Sequence, residues 1–138
     1  MRKHFSFGLG ITLAAASLFL AAPANAAVAN EASPANPQTA HGCTTNDDDS
    51  KTSCIDVEGH KLTVDRVTAD EYYGGGGHHC ATPRLYANGS LFATGPKRCA
   101  TFSVQWTFPI NEGFSNHTQL CTSWSDEPGL RPCETVHD

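Results

Sequence analysis

Helical periodicity, a basic surface and closely spaced cysteine pairs are all missing from this 138-residue sequence. Past residue 26 no stretch repeats its apolar residues at helical spacing, which excludes a bundle or an alternating helix–strand fold. There is no C-x-x-C pair, so neither a zinc ribbon nor a thioredoxin-like motif is indicated. No G-x-S-x-G elbow is present. The tract Gly74–Gly77 lacks the lysine and helix start that a phosphate-cradling loop requires. Lys97-Arg98 is the one basic pair of the exported part, which leaves a phosphate backbone or an anionic bilayer nothing to dock on.

What is present begins with an export signal. Residues 1 to 26 carry Arg2 and Lys3, an apolar run from Phe5 to Ala22, and the small-x-small ending Ala24-Asn25-Ala26. Signal peptidases cleave after this pattern because their pockets admit only short side chains. Removing residues 1–26 from 138 leaves 112, enough for one small domain, and no other segment is long and apolar enough to cross a membrane. Without Arg2 and Lys3, seven Lys+Arg of the nine face 14 Asp+Glu, so the exported chain is acidic.

All six cysteines lie in that exported part: Cys43, Cys54, Cys80, Cys99, Cys121 and Cys133. An even count in a small secreted chain reads as three disulfides, and the expected pairing is sequential: 43–54, 80–99 and 121–133. Such staples compensate for the small core of a chain this short.

Residues 27–42, rich in Ala, Asn and Pro, read as a disordered leader, and 43–138 as the folded domain. From Cys54 the apolar residues recur with period two. A turn at Gly59-His60 would pair Val57 with Leu62 and Ile55 with Val64, with Glu58 opposite Lys61. Asn88-Gly89 signals a type I′ hairpin pairing Tyr86 with Leu91 and Leu85 with Phe92, apolar on both faces and therefore expected to be covered on both. Phe102, Val104, Trp106 and Phe108 alternate with polar residues in a half-buried strand closed by Pro109, with a loop from 109 to 117. The expected fold is all-β: a small disulfide-stabilised β-sandwich or open barrel of about five to seven short antiparallel strands.

Part of the chain resembles a known family. Cys80-Ala-Thr-Pro-Arg-Leu-Tyr86, Cys99-Ala-Thr-Phe-Ser-Val-Gln-Trp106 and Leu120-Cys121 are similar to segments of the small actinomycete α-amylase inhibitors. The resemblance implies a β-sandwich. That family's inhibitory Trp-Arg-Tyr triplet is absent, because the matching turn reads Ala87-Asn88-Gly89-Ser90, and the last cysteine comes too soon. The missing triplet argues against an amylase as target.

Several residue groups are candidates for chemistry. The exported histidines are His41, His60, His78, His79, His117 and His137, and the glycine tract would let His78 and His79 turn to one zinc or copper ion. Nothing in the sequence fixes a third ligand, so no metal and no cofactor is assigned. Asp47-Asp48-Asp49 begins an EF-hand spacing, but Lys51, Thr52 and Cys54 occupy positions that the loop cannot spare. Glu58 and His60 are an acid and a base at a hairpin tip with no pocket implied, which leaves a small secreted hydrolase, like a weak zinc or copper protein, as a further alternative. Lys97-Arg98 beside Cys99 has the form of bait for a trypsin-like protease, which makes inhibition of an extracellular hydrolase the second reading. The leading expectation is a monomeric, non-enzymatic binding module outside the cell, with an extracellular protein or glycan as partner. Its surface is placed on the Tyr72–His79 loop and the 109–117 loop, with Tyr72, Tyr73, His78, His79 and Phe114 as contacts.

Overall fold

The structure, a computed structural model, describes residues 38 to 138. The expected signal and the leader through residue 37 lie outside the described residues. Ten strands and no helix make up the described chain: β1 (Gln38–Thr45), β2 (Lys51–His60), β3 (Thr63–Tyr73), β4 (His79–Ala81), β5 (Pro83–Ala87), β6 (Ser90–Thr94), β7 (Arg98–Ala100), β8 (Ser103–Gly113), β9 (Gln119–Trp124) and β10 (Cys133–Thr135). The excess over the expected number comes from three strands of three residues, too short to show a period, and from β1.

Two antiparallel four-stranded sheets, in the orders β1-β2-β3-β8 and β10-β9-β5-β6, share one core, and β4 with β7 forms a separate ribbon. Ile55, Val67 and Ala69 of the first sheet and Leu85, Leu120 and Trp124 of the second are fully buried in a single cluster. The all-β expectation holds, in its sandwich form. Among the described residues no helix is long and apolar enough to cross a membrane.

All three disulfides close as expected, and each joins residues directly opposite in neighbouring antiparallel strands: Cys43 and Cys54, Cys80 and Cys99, Cys121 and Cys133. No described cysteine is free.

Four local expectations are corrected. The leader does not extend to Gly42, because β1 starts at Gln38 and pairs with β2 along its whole length. Ala40 and Gly42 face Val57 and Ile55, while His41 and Cys43 point the other way; so little apolar surface on a strand leaves no period to read. The first hairpin turns at Lys61-Leu62, with Lys61 in the left-handed region at φ 52°. Val57 pairs with Val67 and Ile55 with Ala69, and the opposite charge beside Glu58 is Arg66, not Lys61. A bulge at Asp65 makes this register work, because it lets Val64 and Val67, three residues apart, both face the core. Gly59 sits where a Cβ would collide with the Thr63 carbonyl oxygen.

In the second hairpin Asn88 and Gly89 take φ of 48° and 80°, as a type I′ turn demands, and Tyr86 pairs with Leu91. Beyond that pair a bulge shifts Leu85 onto Ala93 instead of Phe92. Leu91 and Phe92 are consequently exposed, so only the Leu85 face is covered. Lastly, β8 runs through Pro109 to Gly113. Proline is tolerated there because the β3–β8 ladder is already interrupted between Val64 and Arg66, and Asn111, at φ 53°, takes up the extra residue.

Candidate binding face

β3 sorts its side chains by parity. Val67, Ala69, Glu71 and Tyr73 point into the sandwich, and Thr68, Asp70 and Tyr72 point out. The ladder registers extend the outward set into rows across the first sheet. One row runs Cys43, Cys54, Asp70, Gln105; the next runs His41, Asp56, Thr68, Thr107; Tyr72 lies beside Ser103 at the end. These rows are tied by side-chain hydrogen bonds. Gln105 Nε2 donates to Asp70 Oδ1 at 2.6 Å, the Thr68 and Thr107 hydroxyls lie 3.0 Å apart, and His41 Nδ1 is 2.7 Å from Asp56 Oδ1. Burial pushes the Asp70 carboxyl above its usual range, against the opposing pull of the Gln105 hydrogen bond. The Asp70 charge in turn raises the Tyr72 phenol. The result is a polar, hydrogen-bonded face with one half-exposed aromatic ring, Tyr72, at its edge.

The expected contact residues do not form one surface. Tyr73 is buried and stacks on His79 with ring centroids 4.1 Å apart. His78 is exposed on the glycine loop, where a Cβ at Gly75 or Gly76 would meet nothing within 4 Å and Gly74 N donates to Ser50 O. Phe114 is half-buried and packs on Phe92, 5.7 Å between centroids, beside Leu62. Thr63 pairs with Gly113 whereas Tyr72 pairs with Ser103, so Phe114 and Tyr72 sit at opposite ends of β3, ~30 Å apart at strand rise. A cleft of about 320 Å³ lies at the Phe114 end, lined in part by Ala40, Val57, Lys61, Val64, Val136 and His137.

Phe102 escapes the alternation that would have placed it in the core. It is 72% exposed just ahead of β8, and its carbonyl accepts from Tyr73 N. Its backbone therefore lies opposite Tyr73, at the same strand ends as Tyr72. Asp70, Gln105 and Phe102 carried no distinguishing signal in the sequence. The outward carboxylate and amide become a pair only through the β3–β8 register, which joins residues 35 apart.

Two clusters bring a histidine and two sulfurs within 4.8 Å: His41 with Cys43 and Cys54, and His78 with Cys80 and Cys99. In both, the sulfurs are bonded to each other and offer no thiolate to a metal. Of the basic pair beside Cys99, Arg98 lies over the Trp106 ring at 4.9 Å rather than projecting freely. Charged Glu58 is paired with Arg66, and His60 stands 3.7 Å from Asp65.

Behind Tyr72, on the inward side, Glu71 is fully buried. Its Oε2 accepts from Tyr73 Oη at 2.9 Å, Oε1 has no partner, and Lys51 Nζ is engaged at 2.8 Å by Asp126. Burial, aided by the neighbouring Asp126 charge, pushes Glu71 up to about 7. The unfolded chain loses this proton near pH 4.5 while the folded chain keeps it to about 7. Stability therefore falls as pH rises through that window and levels off above it. The Asp70 shift acts in the same sense. Discounted for solvent screening, the Glu71 contribution is about 1–2 kcal/mol. Urea unfolding at pH 5 and pH 8.5 measures it, and Glu71→Gln should flatten most of the slope; an unchanged slope in that variant would place the titration elsewhere.

No protein family matches this chain, and no match is found among curated proteins or solved structures, so the sequence likeness to amylase inhibitors assigns nothing further.

Proposed function

We propose that the protein is an exported, non-enzymatic binding module that holds a glycan on the outward face of its first sheet. The observation that carries this reading is the set Tyr72, Asp70 and Gln105: a half-exposed ring two residues from a largely buried carboxylate, which locks an exposed amide in place. Sugars present apolar C–H faces, which pack on an aromatic ring, and hydroxyl edges, which pair with planar carboxylate and amide groups. Preorganised groups on paired strands lose little entropy when they bind. Phe102 offers a second exposed ring at the same end, and three disulfides of the kind typical of extracellular proteins fit the export signal.

The test is titration of the purified domain with a panel of soluble polysaccharides and their oligosaccharides. Tyr72→Ala should weaken binding by about tenfold or more, the behaviour of a central aromatic contact, and Phe102→Ala by less. Leu91→Ala, on the other sheet, should leave affinity unchanged. Binding that survives Tyr72→Ala but is lost in Leu91→Ala would move the contact to the β5–β6 edge and overturn the assignment.

A further inference from the structure

Two bridges have a histidine near their sulfurs, but only at Cys43–Cys54 is it hydrogen-bonded to one of them. His41 Nε2 lies 3.1 Å from Cys43 Sγ, while His41 Nδ1 is held at 2.7 Å by Asp56 Oδ1. No other histidine among the described residues hydrogen-bonds a sulfur. Strand geometry creates the arrangement: His41 and Cys43, two apart on β1, share a face, and the register sets them opposite Asp56 and Cys54. The two sulfurs are also unequal in access. Cys43 is exposed, whereas Cys54 is 5% exposed beneath it.

We propose that this bridge is a thiol–disulfide exchange centre that oxidises dithiols. Cys43 is the sulfur attacked, Cys54 the leaving group, His41 the proton carrier and Asp56 the residue that positions the imidazole. One thiol of a substrate dithiol gives its proton to His41 and attacks the exposed Cys43 Sγ. A substrate–Cys43 bond forms and the Cys43–Cys54 bond breaks. Cys54 departs with the electron pair and takes the proton from His41, whose ring nitrogen lies within 4.8 Å of both sulfurs. The second substrate thiol then gives its proton to His41 and attacks the substrate sulfur of the mixed disulfide. Cys43 leaves with the electron pair and is protonated by His41. The substrate ends as a disulfide and the protein as a dithiol, two electrons and two protons richer. Rapid exchange requires an accessible sulfur, which Cys43 supplies, and a proton delivered to the leaving sulfur, for which His41 stands within reach of Cys54.

The test uses the oxidised, intact protein with dithiothreitol as the dithiol, limited reduction, alkylation of the released thiols and mass mapping. The 43–54 bridge should open before 80–99, which is also accessible at Cys99 and has His78 nearby but not hydrogen-bonded to a sulfur, and so serves as the internal control. His41→Ala should slow the opening of 43–54 by about tenfold near neutral pH, at the low end for acid–base assistance because the site is exposed. It should also remove one ionisation from the rate–pH profile and leave the melting temperature in place. Asp56→Asn should slow opening less and shift that ionisation, as expected of a positioning residue. The other charged groups near the site are Asp70 on β3, whose carboxyl is bonded to Gln105, and Glu134 on β10, which reaches under Gly42. Glu134→Gln should retain the ionisation. Equal opening rates for 43–54 and 80–99, or an unchanged profile in His41→Ala, would overturn the proposal. Because exchange is read without any glycan, its failure leaves the Tyr72 binding test standing, and the reverse also holds.

Discussion

Trp124→Ala should cost about 3–5 kcal/mol of stability, the largest loss expected from any single substitution here. Trp124 is the largest fully buried side chain, and it lies on the inner side of β9, paired to Pro83, where the second sheet meets the first. Its removal leaves a cavity that two disulfide-pinned sheets cannot collapse to fill. One feature reduces the cost: the indole Nε1 is buried with no hydrogen-bond partner, so Ala also removes an unsatisfied donor. Trp124→Phe separates the two contributions, since it deletes the orphan N–H and keeps most of the ring. We expect Phe to cost less than about 1.5 kcal/mol, against the several lost with Ala. Urea-induced unfolding of the three proteins measures the difference. Equal losses for Phe and Ala would mean that the indole nitrogen is satisfied after all and that volume is not what matters.

The second large effect concerns the Cys80–Cys99 staple. It closes the longest of the three disulfide loops, with a sequence separation of 19, and removing it by the double change to Ala should cost about 3 kcal/mol through the freed unfolded chain. The effect should also be local. β4 and β7 pair only with each other, over three residues, and a two-stranded ribbon of that length is marginal in water. Amide hydrogen exchange should therefore show residues 79–81 and 98–100 losing protection at low denaturant, ahead of β2, β3 and β8. Removing the Cys121–Cys133 bridge offers a comparison, because β10 and β9 remain anchored to a full sheet. If the ribbon stays protected without its disulfide, the packing of Arg98 on Trp106 is the dominant anchor instead.

The case of Tyr72 and Tyr73 shows how far the sequence could be read. Adjacent residues in a strand face opposite ways, so one of the pair had to be buried. The choice follows from Val67 and Ala69, whose parity extends through Glu71 to Tyr73. A charged residue in an inward position hid that continuation, because Glu71 breaks the apolar pattern it belongs to. Phe102 is the converse: its spacing matches the core residues Val104 and Phe108, but it lies beyond the strand's end, where pairing no longer dictates orientation.

Composition, cysteine number and local turn chemistry settled the all-β class, the three sequential bridges and the Asn88-Gly89 turn. These features depend on neighbours in the chain: short loops favour sequential closure, and positive φ favours Asn-Gly wherever it occurs. The register of the first hairpin, the passage of β8 through Pro109 and the strand at Gln38 were decided by tertiary pairing. Each depends on a bulge or a partner strand that supplies what the local sequence lacks. The outward row of Tyr72, Asp70 and Gln105 and the His41–Asp56–Cys43 chain belong to this second group. Each joins residues of one strand to a partner on its neighbour, Asp70 to Gln105 and His41 to Asp56, and only the hydrogen-bonded register brings those partners within contact distance.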